Sequence, residues 1–287
     1  MNAQAAGWPA PAKLNLFLHV LGRREDGYHD IETAFQLLDF GDRIDVRPRN
    51  DGRIVRVRGA PGVGEENDLM VRAAYALRQA HGHPGLGAEL SLDKRIPMGG
   101  GLGGGSSDAA TTLVVLNRLW RLGLGEDALA GLAFALGADV PLFVRGRSAF
   151  GQGRGERLTP IALPQRWFLV LDPGAQVPTG ELFQAPDLTR NSAPSTIRRF
   201  FSSADTRNVF EPVVRSRYPS VAQALDWLGA HAASRLTGTG GCVFAAFERE
   251  TEARGIANLC PPAFRAFVAR GVDESPLLAA MRETETI

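Results

Sequence analysis

Pro97-Met98-Gly99-Gly100-Gly101-Leu102-Gly103-Gly104-Gly105-Ser106-Ser107-Asp108-Ala109-Ala110 is the stretch from which the rest of the chain can be read. Six glycines fill seven consecutive positions and run straight into an apolar segment. Glycine lets the backbone take positive φ and come close to a ligand. The helix expected to follow, from Ser107 to about Leu122, offers unpaired N–H groups and the positive end of its dipole. Together they form an anion cradle, and the usual anion is phosphate. A flexible linker would not end on an amphipathic helix opened by Ser and Asp. Asp108 is expected to cap that helix, because a bare carboxylate beside phosphates would repel them.

Known phosphate loops are excluded in turn. A P-loop requires Gly-x4-Gly-Lys-Ser/Thr; Gly100 to Gly105 has the spacing, but Ser106 stands at the lysine position. Gly99-x-Gly101-x-x-Gly104 fits the dinucleotide pattern only as any glycine run would. No acid follows at a strand end about 20 residues on, as that fold needs. A protein-kinase loop leads into a strand bearing Val-Ala-Ile-Lys, and here a helix follows. The remaining class is a glycine-rich loop and helix start holding a nucleoside triphosphate, with hydroxyls from Ser106 and Ser107.

At 287 residues the chain suits one large domain or two modest ones. The balance of 32 basic against 31 acidic residues gives no field to attract nucleic acid or an anionic membrane. Met1 to Pro9 carries neither a basic nor an apolar export region, and no apolar run is long enough to span a bilayer. Cys242 and Cys260 make no disulfide framework and no zinc spacing, so a reducing cytoplasm is expected. One count is sharper: 30 of the 32 basic residues are arginine, and the two lysines, Lys13 and Lys94, both lie beside motifs. An ammonium is a compact point charge where a guanidinium is a broad fork.

Alternation over 10–20 predicts a half-buried strand with Lys13, Asn15, Phe17 and His19 on its outer face. Asn50-Asp51-Gly52 predicts a hairpin between short strands at 44–47 and 54–57. Asn67 or Asp68 is expected to cap a helix that stops near Gly82. Further helices are expected over 126–136, around Phe183, over 221–228 and from about Glu250. Strands are expected over 88–92, in a pair within 148–159, at 167–171, 243–247 and 264–269. Residues 186–208 read as a surface excursion, 279–287 as a loose tail, and a soft domain boundary falls near Gly155.

Pro11-Ala12-Lys13-Leu14-Asn15-Leu16, the glycine run, and Leu236-Thr237-Gly238-Thr239-Gly240-Gly241-Cys242 resemble the three ordered motifs of the GHMP kinase superfamily of small-molecule kinases. Arg24-Glu25-Asp26-Gly27-Tyr28-His29, Phe35 to Asp42 and Gly137-Ala138-Asp139-Val140-Pro141 narrow the resemblance. They are similar to the branch whose alcohol acceptor carries a cytidine diphosphate, in the non-mevalonate route to isoprenoid precursors. The resemblance spans about Ala10 to Leu278 and implies an α+β fold of two domains. These would be an N-terminal nucleotide-binding domain, 1–155, and a C-terminal substrate domain, 156–287, with a cleft between.

The implied chemistry is transfer of the ATP γ-phosphoryl to a hydroxyl, which needs positioning, charge neutralisation and a proton acceptor. By resemblance Asp139 is the base and Lys13 its partner, able to steady the transferring phosphoryl. Mg2+ accompanies ATP, with no protein ligand assigned. Asn67 and Lys94 are expected on the adenosine side. Pro97, Met98, Gly99, Gly100, Gly101, Leu102, Gly103, Gly104, Gly105, Ser106 and Ser107 follow the phosphates, and Gly238 to Gly241 approach them from the far half. Tyr28 and Phe183 would stack the cytosine, His29 would read its edge, and Asn15 and Thr179 would touch the rest of the acceptor. A homoserine, mevalonate or sugar kinase of the same superfamily is the alternative, and its acceptor has no base to stack.

Overall fold

The computed structural model describes residues 7–202 and 206–284. Its spine is an antiparallel pair, β1 (Trp8–Arg23) and β2 (His29–Arg49). Lys13, Asn15, Phe17 and His19, on the outer face of the strand expected to be half-buried, are all buried. Both faces of β1 are covered: Leu14 packs with Phe168 and Phe244, and Phe17 with Phe150 and Phe200. The period-two pattern was right, but the outer face meets protein and a cleft rather than water.

The expected hairpin at Asn50-Asp51-Gly52 is absent. β3 (Ile54–Arg58) runs parallel to β4 (Gly87–Asp93), and β4 pairs antiparallel with β2, so β4 lies between its two predecessors. A parallel pair needs a crossover, supplied by α1 (Leu69–His81). Asp68 caps α1 by accepting from Met70 N, and Gly82 ends it in the left-handed region.

Next come α2 (Gly104–Leu119), α3 (Glu126–Leu136), α4 (Val140–Arg145) and the hairpin β5 (Ala149–Gly153) with β6 (Arg157–Pro160). Helix α2 starts three residues before the predicted Ser107, with Gly103 at its N-cap. Leu77, Leu113, Leu116 and Phe143 close the first core over β1, β2 and β4.

The second half contains β7 (Trp167–Asp172), α5 (Thr179–Gln184), α6 (Ile197–Phe201), α7 (Glu211–Arg217) and α8 (Pro219–Gly229). After these follow β8 (Arg235–Leu236), β9 (Val243–Phe247), α9 (Glu250–Ala257), β10 (Arg265–Val272) and α10 (Pro276–Glu283). Strand β10 pairs with β7 and meets β2 at Gly271↔Leu38 and Val272↔Leu37, joining the described strands into one ten-stranded sheet. The line at Gly155 falls in the β5–β6 turn. Strand β5 pairs with β2, and α10 returns Leu277 to the first core, so the sheet and the core both tie the halves together.

Two other expectations change. The described residues of 186–208 are anchored: Ser192 N donates to Val20 O, Leu18 N donates to Arg207 O, and Phe200 is buried in α6. Residues 279–283, predicted as tail, belong to α10, whose Ser275 cap accepts from Leu277 N; 285–287 lie outside the described residues.

Candidate active site

The glycine run turns at the end of β4 and delivers the N-terminus of α2. Its outer surface is the second glycine cluster, between β8 and β9. Cys242 N donates to Gly100 O at 3.0 Å, and Thr237 Oγ1 donates to Gly101 O at 3.4 Å. The two backbones approach so closely that neither tolerates a side chain at the contact. A Cβ on Gly241, at φ +97°, would stand 2.5 Å from Gly99 O, and one on Gly101 would collide with Thr237 O. Asn208 Nδ2 holds the second cluster by donating to Leu236 O and Gly238 O. The expectation that Gly238 to Gly241 approach phosphates is thereby modified. Gly240 and Gly241 support the glycine loop from behind, while Gly238 and Thr239 reach the cleft.

Both lysines lie against this loop. Gly103 packs on the Lys13 stem and Gly104 on the Lys94 ammonium. Lys13 Nζ sits 3.4 Å from Asp139 Oδ2 and donates to Asn15 Oδ1 at 2.6 Å. Asn15 in turn donates from Nδ2 to Thr33 Oγ1, and its N–H donates to Thr237 Oγ1. Asn15 is therefore buried in a chain of partners that fixes the amine. Asp139 occupies the N-cap position of α4 yet makes no side-chain capping bond. Its carboxylate, 32 % exposed, faces the cleft and Lys13 instead.

Lys94 lies in an ion-pair cluster at the edge of the loop. It borders the nucleotide-sized cavity, but its ammonium is engaged by Asp42 Oδ2 at 2.6 Å and Asp108 Oδ2 at 2.9 Å. Asp42 Oδ1 also accepts from the backbone N–H of Arg95 and Ile96. Asp108 is thus not the helix cap; it lies in the second turn of α2, buried, with Oδ1 unpartnered. Burial pushes its carboxyl up to about 7 against the pull of Lys94, and Asp42 adds to the rise. Burial opposes the Lys94 charge too, but Asp108 and Asp42 outweigh it and raise its pKa. Two carboxylates share one ammonium; Asp42 has the better partners, and Asp108 carries the excess.

Two cavities meet at the glycine loop. One, of about 250 Å³, is walled by Ala60, Val63, Asn67, Met70 and Met98. The other, of about 490 Å³, is walled by Lys13, Asn15, Asp139, Arg154, Thr179 and Phe183. Gly99, Gly101, Gly103, Gly104 and Gly105 border both. Ser106 borders the second, whereas Ser107 is fully buried, unpartnered at Oγ, and borders neither. A polyanion laid over the loop would have one end in each cavity.

At the far end of the second cavity, the Phe183 ring lies 5.0 Å from His29 and 4.8 Å from Phe210. His29 Nε2 accepts from Arg190 Nε at 3.2 Å. Burial, with Arg190 and Arg23, holds this imidazole below its ordinary pKa, so it is neutral with its proton on Nδ1. Tyr28 is half exposed and does not border the cavity itself; the Arg154 guanidinium lies 3.4 Å over its ring. Thr179 Oγ1 shares a hydrogen bond with Thr239 Oγ1 at 2.8 Å.

Comparison with known proteins gives this arrangement a lineage. The model of the GHMP kinases N terminal domain matches residues 68–147, and that of the GHMP kinases C terminal matches 185–260. The 4-diphosphocytidyl-2-C-methyl-D-erythritol kinase of Halorhodospira halophila is 57 % identical over 96 % of each chain. The chain belongs to the GHMP kinase family. Its GHMP relatives include the protein of the same name from Alkalilimnicola ehrlichii, 56 % identical over 96 % of this chain and 94 % of that one. A crystal structure of 4-(cytidine 5'-diphospho)-2C-methyl-D-erythritol kinase superposes with a TM-score of 0.80 at 34 % identity, covering 93 % of this chain and 99 % of that chain. The Methanococcus jannaschii mevalonate kinase shares the fold, with a TM-score of 0.67 at 14 % identity over 95 % of this chain and 100 % of that one.

As a GHMP kinase the chain is an ATP-dependent small-molecule kinase, and no helix among its described residues is long and apolar enough to cross a membrane. The motif residues Lys13 and Asp139, more than a hundred residues apart in sequence, come together at the glycine run. Sequence reasoning missed Arg154, Thr237 and the Asp42 contact to Lys94. Each depends on a long-range pairing that no local pattern announces.

Proposed function

We propose that the protein transfers the γ-phosphoryl of ATP to a hydroxyl of 4-diphosphocytidyl-2-C-methyl-D-erythritol. The observation carrying this reading is the Lys13–Asp139 pair, 3.4 Å apart, set where the glycine loop separates the two cavities. The nucleoside of ATP occupies the smaller cavity beside Asn67 and Met98, with its phosphates over the loop and the N-terminus of α2. The acceptor occupies the larger one, its base near Tyr28, His29 and Phe183 and its alcohol beside Asp139.

Asp139 takes the hydroxyl proton as the new O–P bond forms and the bond to the β-phosphate oxygen breaks, releasing ADP. Lys13, held by Asn15, places its charge where the transferring phosphoryl is flanked by donor and acceptor oxygens. Gly103 and Gly104 contribute backbone N–H groups on the opposite side.

Mg2+ travels with ATP. Among the described residues no group of three or more His, Cys, Asp and Glu forms a cage. An ion bound with ATP would be held chiefly by phosphates and water, and the Ser106 hydroxyl and Asp139 carboxylate are among the protein oxygens bordering the cleft. It supplies charge neutralisation for the leaving diphosphate. The reading places the enzyme in the cytoplasm, where Cys242 and Cys260 stay as free thiols.

The test is ADP release from ATP and Mg2+ with a panel of alcohols. Turnover with the cytidine diphosphate compound, and background rates with homoserine, mevalonate and galactose, support the proposal. Preference for any of the latter overturns it.

A further inference from the structure

We propose that Arg154 is a specificity residue that binds the anionic diphosphate of the acceptor, a role that rests on the function proposed above. Four observations carry it. The guanidinium carbon lies 3.4 Å from the Tyr28 ring centroid and 5.1 Å from that of Phe134, so the group is held against two aromatic rings. It borders the same cavity as Lys13, Asp139 and Phe183. Its Nε is shielded from solvent and has no acceptor. Among the described residues no carboxylate pairs with it, whereas Lys13 faces Asp139 and Lys94 faces Asp42 and Asp108.

A buried guanidinium N–H without an acceptor is costly, and proteins seldom leave one so. The missing partner must offer oxygens and negative charge, and must enter from the cleft. Glu156, two residues on, accepts at Oε2 from the backbone N–H of Arg154 rather than from its side chain. That bond fixes the β5–β6 turn and leaves the side-chain fork free.

Placement agrees with the chemistry. A Cβ on the adjoining Gly155 would stand 3.9 Å from Asp139 Oδ1, so Arg154 adjoins the carboxylate proposed as base. A ligand spanning from the Phe183 end to Asp139 must pass it. The planar fork matches phosphate oxygens in pairs, which an ammonium cannot do. In this role Arg154 stacks behind Tyr28, stiffens that exposed ring, and turns its N–H edge toward the linkage between base and alcohol.

The experiment uses the full chain with its nucleotide cavity saturated by a non-hydrolysable ATP analogue. Titration calorimetry then compares CDP with cytidine in the wild type, Arg154→Met and Arg154→Lys. Methionine keeps an apolar stem on Tyr28 and removes the charge; lysine keeps the charge and loses the fork. The expected result is CDP binding weakened about tenfold in Arg154→Met, the loss of one charge-assisted contact. Cytidine binding should stay within about twofold, with partial recovery of CDP binding in Arg154→Lys. The KM of the acceptor should rise while kcat holds.

Equal weakening of CDP and cytidine would overturn the proposal, since Arg154 would then only prop Tyr28. Unchanged CDP binding would overturn it as well. If Arg154→Met does not fold, Arg154→Gln serves the same comparison. Failure of the wild type to bind either ligand would instead remove the acceptor assignment, an outcome separate from the failure of Arg154 alone.

Discussion

Gly241→Ala perturbs the nucleotide loop without adding an atom to either cavity, because Gly241 borders neither. Its φ of +97° is one that an L side chain rarely adopts, and forcing it costs about 1–2 kcal/mol. The new methyl would stand 2.5 Å from Gly99 O and 2.6 Å from Gly100 Cα. Ordinary contact begins near 3.4 Å, so the two backbones must part by most of an ångström. That separation weakens the Cys242 N to Gly100 O bond, worth about 1 kcal/mol. The sum is a loss of roughly 2–3 kcal/mol. Urea denaturation should read it as a lower midpoint at unchanged slope. Because the loop is displaced, the KM for ATP should rise severalfold. Gly131→Ala, in the exposed face of α3 with open space around it, is the control and should gain about 0.5–1 kcal/mol. If Gly241→Ala matches wild type in both stability and ATP kinetics, the backbone-on-backbone contact is not tight and the argument fails.

Asp139→Asn should lower kcat by at least about a hundredfold with ATP affinity nearly unchanged, as for loss of a general base; single-turnover rates and nucleotide titration measure the two, and a surviving rate excludes Asp139 as proton acceptor. Asn15→Leu frees the Lys13 amine from its anchor and should reduce kcat more than the KM of either substrate, whereas a KM effect confined to the acceptor would make Asn15 a binding contact instead. Folded Asp108 holds its proton to about pH 7 and unfolded Asp loses it near its ordinary 3.8, so folding takes up a proton between these values and stability falls as pH rises through them. Asp108→Asn should flatten this fall and be the more stable protein at pH 8, as seen in urea midpoints of the ligand-free chain; parallel curves for the two proteins would refute the assignment.

What was legible in the sequence was what local chemistry decides. The glycine run, the helix behind it and the cap at Asp68 follow from backbone freedom and hydrogen bonding within a few residues. Turn grammar failed at Asn50-Asp51-Gly52 because strand order is set by the α1 crossover, not by the turn. Asp108 resembled a cap by position, and only the approach of Lys94 and Asp42 from distant strands makes it an ion-pair residue. Arg154 gave no signal, as one arginine among 30 in a glycine-rich turn. Lys13 and Asp139 were named through motif resemblance; their meeting required the completed sheet.

The scarcity of lysine has a practical reach. The only two lysines in the sequence lie against the glycine loop, Lys13 buried and Lys94 largely so, while every arginine carries its charge as a guanidinium. Reagents that acylate amines therefore have no decoy side chains to consume them. In this protein, such a label on a lysine would report on access to the glycine loop.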